Sequence, residues 1–542
     1  MVFVFFAVSA VLFIGVALLT AVWPPVAWLL VVLVPVFLLG VYDALQTRRA
    51  VLRNFPVVGH FRYLFELIRP EINQYFIESN TDGKPFSREL RSLIYQRSKK
   101  VTQTLPFGTQ RDVYALGYEW INHSFVAQPP LTDPPRIAIG AHTCAKPYAA
   151  ALLNVSAMSY GSLSKAAIEA LNAGAKMGGF FHNTGEGGFS PYHRDPGGDV
   201  VWQIGTGYFG CRTAEGRFSP EKFQETARLD SVKMIELKLS QGAKPGHGGI
   251  LPGPKVTEEI AAIRHVEPFK TVYSPPAHTA FGDPRGLLRF LAELRELSGG
   301  KPVGFKLCVG SPAEFLGLCM AMVETDLVPD FITVDGGEGG TGAAPLEFSN
   351  SVGTPLTDGL VFVHNALVGF GLRDRLKIIA TGRVVNGFEM ARRLAAGADL
   401  CASARGFMFS LGCIQALRCN TNQCPVGVAT QDPHLVRGLV VEDKRTRVKN
   451  FQEETVHGFL ELLGAAGLGH PDELGPWHIH RRISATDVKS YGEIYTWLRP
   501  GALLHTPYPE PYADWMAMAS PDAFTQLCPV GGPQRVREET AV

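Results

Sequence analysis

Three cysteines, Cys413, Cys419 and Cys424, crowd one short segment, and Pro425 follows the last of them. Soft thiolates at so compact a spacing can surround a single inorganic cluster, because sulfur ligands hold iron well. With no fourth cysteine at hand, a three-iron cluster suits the set better than a four-iron one. Zinc is the competing metal but needs a further ligand, for which His434 is a remote candidate. Buried structural thiols are the plain alternative.

Other clusters carry charge on glycine-rich backbone. Gln241-Gly242-Ala243-Lys244-Pro245-Gly246-His247-Gly248-Gly249 sets a cation and an imidazole where a ligand can come close. A carboxylate is the natural guest of Lys244, and Arg264, ending the next helical stretch, could add a bidentate contact. A solvated lysine and an exposed helix-end arginine would read the same way. Lys306 lies in the apolar run Gly304-Phe305-Lys306-Leu307-Cys308. Facing into a parallel core, it calls for a negative partner, and a reduced flavin would be one. Ser156-Ala157-Met158-Ser159-Tyr160-Gly161-Ser162 offers small side chains against which a flat ring can lie, and Asn183-Thr184-Gly185-Glu186-Gly187-Gly188 offers one carboxylate. Each of these two could equally be an ordinary turn before a helix cap. Asp335-Gly336-Gly337-Glu338-Gly339-Gly340, Thr381-Gly382-Arg383 and Ala404-Arg405-Gly406 complete the set. Gly-rich loops of this kind, late in a barrel, cradle the phosphate of a flavin through backbone N–H groups and a cation.

Positioning these clusters requires a repeating scaffold. Short β-rich runs at 152–158, 179–183, 234–239, 271–273, 303–308, 331–334, 377–380 and 400–403 end at the clusters and alternate with helical stretches at 165–177, 255–264, 285–297, 313–323 and 387–396. Eight strands separated by helices predict an α/β fold, a closed (β/α)8 TIM barrel with its chemistry where strands end. A Gly-, Pro- and aromatic-rich insertion at 188–224 reads as a loop domain over the barrel mouth.

The chain divides into a helical hairpin (1–42), an adaptor segment (43–148), the barrel with its cysteine segment (149–432) and a helical, Pro-rich extension (433–542). Residues 1–42 carry no charged side chain, and Trp23-Pro24-Pro25 splits them into two apolar runs, the first long enough to cross a bilayer and the second near the lower limit. A cleaved signal peptide would show a basic leading region, which is missing here. Arg48, Arg49 and Arg53 follow, so the bias of positive charge places the catalytic domain in the cytoplasm, anchored to the inner membrane. The 51 basic and 50 acidic residues leave a net charge of +1 with no long basic run, which argues against nucleic acid as a partner. Nine unevenly placed cysteines argue against a secreted disulfide scaffold.

In SAMSYGS from Ser156, NTGEGG from Asn183, QGAKPGHGG from Gln241, DGGEGGTGA from Asp335 and CIQALRCNTNQCPVGVATQ from Cys413, the chain resembles the FMN-binding domain of glutamate synthases, in family order. The resemblance implies FMN on the barrel's C-terminal face, a three-iron, four-sulfide (3Fe-4S) cluster beside it, and reduction of 2-iminoglutarate, from 2-oxoglutarate and ammonia, to L-glutamate. It places Ser156, Met158, Ser159, Lys306, Asp335, Gly336, Gly337, Gly382, Arg383, Ala404 and Arg405 around FMN. Lys244 and Arg264 would hold the dicarboxylate, Glu186 would stand near the imine, and Cys413, Cys419 and Cys424 would ligate the cluster. An electron donor such as ferredoxin or a reductase subunit is implied as a partner, beside the lipid bilayer. The chain departs from the family at Ile250, where members carry Gln, and at His247, where they carry Glu. It also carries the hairpin and no glutaminase domain. A flavin barrel acting on a 2-hydroxy acid or an N-substituted amino acid, with His247 or His278 as base, is the alternative. A membrane electron-transfer protein without its own substrate is another.

Overall fold

The computed structural model describes residues 1–101 and 104–524, in two compact units, Met1–Glu89 and Leu90–Val542. In the first unit, Val2–Val22 (α1) and Leu30–Leu45 (α2) are joined through a 3-10 turn over Pro24–Leu29. Two consecutive prolines cannot donate the N–H groups that would continue α1, so the helix stops at Val22. Val2–Val22 and Pro24–Leu45, of 21 and 22 residues, are long and apolar enough to cross a membrane, and few of their side chains are covered by protein. Phe5 stacks on Phe37 at 6.1 Å and Phe13 meets the same ring edge-on at 5.4 Å. A short helical turn over Ala50–Asn54 and then a longer helix, Gly59–Ile72 (α3), follow.

The second unit is built on a closed barrel of eight parallel strands: Leu153–Val155 (β1), His182–Asn183 (β2), Val200–Ile204 (β3), Val232–Lys238 (β4), Val303–Cys308 (β5), Phe331–Asp335 (β6), Lys377–Thr381 (β7) and Leu400–Ser403 (β8). β8 closes the ring on β1 through Cys401 opposite Leu153. The architecture is the expected (β/α)8 barrel, but one expected strand is replaced. The run at 271–273 is not in the barrel: Val272–Tyr273 pairs antiparallel with Ile250–Leu251 in a small hairpin between β4 and β5. The missing strand, β3, lies in the segment read as a loop insertion, and Pro220–Ala227 within that segment is helical. All five β3 residues are buried, and a run buried on both faces has no alternation to mark it.

Helix starts follow local chemistry. Ser164 Oγ accepts from Ala167 N at 3.2 Å, Asp283 Oδ1 from Gly286 N at 2.7 Å and Asn386 Oδ1 from Glu389 N at 2.8 Å, each capping a barrel helix. A helix not expected from sequence, Leu356–Gly369, links β6 to β7. The 25-residue helix Val441–Ala465 packs on Lys165–Gly178 and Gly387–Ala395, burying Val448, Phe451, Val456, Phe459, Leu460 and Leu463 at helical spacing. At the opposite end from the functional loops, the hairpin of Ile137–Ile139 and Tyr148–Ala150 joins Phe181, Val201, Met234, Phe331, Ile379 and Leu400 in one apolar cluster. This plug closes the bottom of the barrel and leaves the C-terminal ends of the strands as its mouth.

Candidate active site

Alternation along β4 turns Glu236 and Lys238 into the barrel, among residues that read as a buried apolar strand. Glu236 is the polar hub of the interior. It accepts from Asn183 Nδ2 on β2 at 2.8 Å, Gln203 Nε2 on β3 at 2.7 Å and Thr333 Oγ1 on β6 at 2.5 Å. One carboxylate thereby ties three strands, and each buried partner is satisfied.

Above it, Glu186 stands in the turn after β2, and Lys238 Nζ lies 2.9 Å from its Oε1. Burial pushes the Glu186 carboxyl up, but Lys238, with Lys244 and Arg264 behind it, outweighs that and holds it below its usual range. Lys244, from the loop after β4, is buried and donates to Ala343 O at 2.8 Å. Burial lowers it to about 8, with Glu186 pulling upward and Lys238 downward. Arg264 ends the helix Glu258–Arg264, capped by Thr257, and donates from Nη2 to Tyr160 O at 3.0 Å. Its guanidinium lies over the Phe209 ring at 5.2 Å, its buried Nε has no partner, and burial lowers it to about 10. Three cations therefore face one carboxylate. The three residues singled out from sequence as Glu186, Lys244 and Arg264 come together here.

A second grouping lines the strand ends from β5 round to β1. Lys306 Nζ is 3.2 Å from Asp335 Oδ2, and although burial opposes its charge, Asp335 and Glu236 raise it above the ordinary lysine range. Asp335 also accepts from Gly242 N at 3.1 Å, joining the two groupings. The loops after β4 and β6 touch backbone to backbone: a Cβ on Gly242 would stand 1.5 Å from Gly336 O, so only glycine fits. Gly337 N donates to Thr354 O at 2.8 Å, and Gly382, at φ +132°, holds a backbone that other residues rarely adopt. Ser156 Oγ and Thr381 Oγ1 are 3.0 Å apart, while Met158, buried, donates from its backbone to Asn183 O at 3.1 Å. Ser159 O accepts from Leu163 N at 3.0 Å. Ala404 precedes the short helix Arg405–Ser410, and Arg405 Nη2 donates to Glu338 O at 2.7 Å. Burial lowers Arg405 to about 10, with Asp335 opposing, and exposed Arg383 is close enough to lower it further.

The cysteine segment is laced to the loops of the mouth. Lys255 Nζ donates to Ser162 O at 2.7 Å and to Cys419 O at 3.0 Å, and Tyr95 Oη donates to Cys413 O at 2.5 Å. Cys413, Cys419 and Cys424 sense one another electrostatically, and burial pushes Cys413 up to about 12 and Cys419 upward as well. All three are free thiols. Gln415, Leu417 and Asn422 have φ between 55° and 63°, the left-handed region, and such backbone clusters at functional sites. Among the described residues, no three His, Cys, Asp or Glu side chains are gathered closely enough to hold a metal ion. His434 is exposed on the short helix Pro433–Val436.

Comparison with known proteins adds family identity to this geometry. Residues 100–469 match the family model described as the conserved region in glutamate synthase. The chain belongs to the glutamate synthase family. It is a glutamate synthase-like oxidoreductase. It is 40% identical to the glutamate synthase large subunit-like protein YerD of Bacillus subtilis over 492 residues, 83% of this chain and 93% of that one. With the archaeal NADPH glutamate synthase of Methanocaldococcus jannaschii it shares 35% identity over 62% of this chain and 65% of the relative. With the NADPH glutamate synthase large chain of Azospirillum brasilense it shares 32% over 57% of this chain and only 20% of the relative. The chain thus spans less than two thirds of these last two proteins. Among solved structures, a mandelate oxidase mutant with an FMN adduct aligns at a TM-score of 0.40 and 12% identity, over 75% of this chain and 93% of that one.

Within this glutamate synthase-family barrel, sequence reasoning passed over Lys238, Glu236 and Lys255. Charges two residues apart inside an apolar strand were the available signal for the first two. His278, considered as a base, is fully engaged. Its Nε2 lies 2.8 Å from Lys238 O, and its Nδ1 lies 3.1 Å from Tyr208 Oη. Thr279 N and Ala280 N both donate to that hydroxyl, which leaves its proton for Nδ1. Burial lowers His278 to about 4, so it is neutral with neither nitrogen free. His247 lies 2.8 Å from Gly248 O through Nδ1 and packs edge-on against Phe348 at 5.2 Å.

Proposed function

We propose that the chain reduces 2-iminoglutarate, formed from 2-oxoglutarate and ammonia, to L-glutamate, using FMN and a 3Fe-4S cluster. The observation that carries this reading is the surplus of buried cations, Lys238, Lys244 and Arg264, around the single carboxylate of Glu186. Such a pocket favours a guest with two negative charges, and Arg264 has an unpartnered buried nitrogen to offer it.

FMN suits the second grouping. Backbone amides at Gly336 and Gly382, on a loop that the Gly337 N–H braces against Thr354 O, with Arg383 and Arg405 near one another, are the donor set a phosphate requires. Lys306, whose charge is secured by Asp335, would face the ring edge that becomes negative, and Ser156, Met158, Ser159 and Ala404 would complete its surroundings. The thiols of Cys413, Cys419 and Cys424 have the donor chemistry for iron and sulfide. When bound, FMN supplies hydride and the cluster supplies single electrons.

The chain's own residues do the placing. Lys244 and Arg264 orient the carboxylates. Glu186, held ionised, cannot give up a proton at neutral pH. It stabilises instead the positive charge of a protonated imine, whose carbon gains hydride. Lys238 fixes the Glu186 carboxylate in that position. Ammonia supplies the nitrogen, and electrons come from ferredoxin or a reductase subunit. The two apolar helices anchor the chain in the inner membrane with the barrel in the cytoplasm, a reading supported by Arg48, Arg49 and Arg53 after the second helix.

Purified protein carrying FMN, given dithionite, 2-oxoglutarate and ammonium without oxygen, is expected to form L-glutamate. A bound, reducible flavin that yields no glutamate would overturn the substrate assignment.

A further inference from the structure

The helix α3 is written as a membrane-surface element. Phe61, Leu64, Phe65, Ile68 and Ile72 recur at helical spacing and form one apolar stripe, and all are exposed. Arg62, Glu66 and Arg69 lie on the flank and back of this stripe, and Arg62 pairs with Glu66 at 2.9 Å. A further run of exposed apolar side chains, Tyr75, Phe76 and Ile77, follows the helix.

The position of the helix start is set by Asp43, at the end of α2. Its carboxylate, fully buried, accepts from Val57 N at 2.9 Å and pairs with His60 Nε2 at 2.9 Å. These contacts tie the first turn of α3 to the last turn of an apolar helix of membrane-crossing length. Arg48, Arg49 and Arg53 lie in the intervening segment, and the Arg49 guanidinium sits over the Tyr63 ring of α3 at 4.7 Å.

From this we infer that α3 lies in the headgroup region of an anionic leaflet, with the Phe61–Ile72 stripe among the acyl chains and the arginines at the phosphates. The inference rests on the reading of α1 and α2 as membrane spans. An apolar stripe tied to the end of a span and preceded by Arg48, Arg49 and Arg53 fits a lipid surface better than a second protein, which would have no use for the tether.

The test uses the full chain in nanodiscs of phosphatidylcholine with an anionic phosphatidylglycerol fraction. Phe61, Phe65, Glu66 and, as a control in the hairpin, Leu38 are replaced one at a time by the photocrosslinking amino acid p-benzoylphenylalanine, and adducts are read by mass spectrometry. Lipid adducts at 61 and 65 several-fold above those at 66, together with adducts at 38, are the expected result. Adducts at 38 with none at 61 or 65 overturn the inference and leave the hairpin standing. Crosslinks from 61 and 65 to protein overturn it in favour of an occupant within the chain or a second copy. No lipid adduct at 38 removes the membrane reading itself.

Discussion

The pocket around Glu186 and the segment around Cys413 both bury ionisable groups, and they differ in how far protein alone completes them. At Glu186 the opposing charges are already in contact, with Lys238 at 2.9 Å and two further cations in range. At the thiols, burial favours the neutral form, and the neighbouring sulfurs add to that effect. The first is preorganised in the sense that matters for binding a charged substrate. The second has the right atoms on well-tethered backbone, and the proposed cluster would have to take their protons off. A substrate pocket can be finished by folding, whereas a cluster site is finished by its metal.

Removing one sulfur is the most severe way to break that comparison. Cys419→Ser is expected to abolish bound iron and acid-labile sulfide and all turnover driven by a protein electron donor, while FMN stays bound. Iron and sulfide assays beside the flavin spectrum decide it; unchanged iron content would remove the cysteine segment from the mechanism.

Next in size is Glu186→Gln, which keeps shape but leaves Lys238 and Arg264 without their counter-charge. Loss of an electrostatic stabiliser of this kind lowers kcat by about 10²–10³. Stripping the partner from a largely buried ion pair costs about 3 kcal/mol of stability, the lower end of the range because Glu186 is partly exposed. Turnover and urea unfolding measure the two separately. A variant as active as the parent would show that the cation surplus, not the carboxylate, is what the site uses.

Much of this geometry could be read in advance because its residues sit in glycine-framed clusters where strands end. Lys244, Asp335 and Arg405 were each visible as a charge on permissive backbone, and Lys306 as a cation inside an apolar run. The strands were less legible. Five buried residues of β3 lay hidden in a segment rich in turn formers, while 271–273, a short run of the same texture, belongs to a side hairpin. Their difference lies in the pairing partner, which no local pattern records. The same limit explains Lys255. The contact of Lys255 with Cys419 joins residues 164 apart in the chain, and nothing in either neighbourhood announces the other.

A gentler probe is pH. With Glu186 and Lys238 as its charged neighbours, Lys244 loses its proton near pH 8 in the free protein. kcat/KM for 2-oxoglutarate is therefore expected to fall above about pH 8, by about tenfold per unit at most. Stability should move the other way. A lysine lowered from 10.5 to about 8 destabilises the folded state below pH 8, and that penalty is relieved as pH rises from about 8 through 10.5. Lys244→Met should abolish both trends. A pH profile unchanged in that variant would assign the ionisation elsewhere.

The smallest effect comes from the other side of the comparison. Tyr95 Oη donates to Cys413 O at 2.5 Å, and its ring meets Phe409 edge-on at 6.2 Å. Tyr95→Phe keeps the ring contact and removes only the hydroxyl, so it reports the hydrogen bond with little disturbance of packing. A single neutral hydrogen bond contributes about 0.5–1.5 kcal/mol, which thermal unfolding can resolve. If the cysteine loop is shaped by its metal rather than by such tethers, the loss should be seen without metal and largely disappear once the protein is loaded with iron and sulfide. An equal loss in both states would mean that folding, and not the cluster, fixes this loop, and the contrast with the Glu186 pocket would vanish.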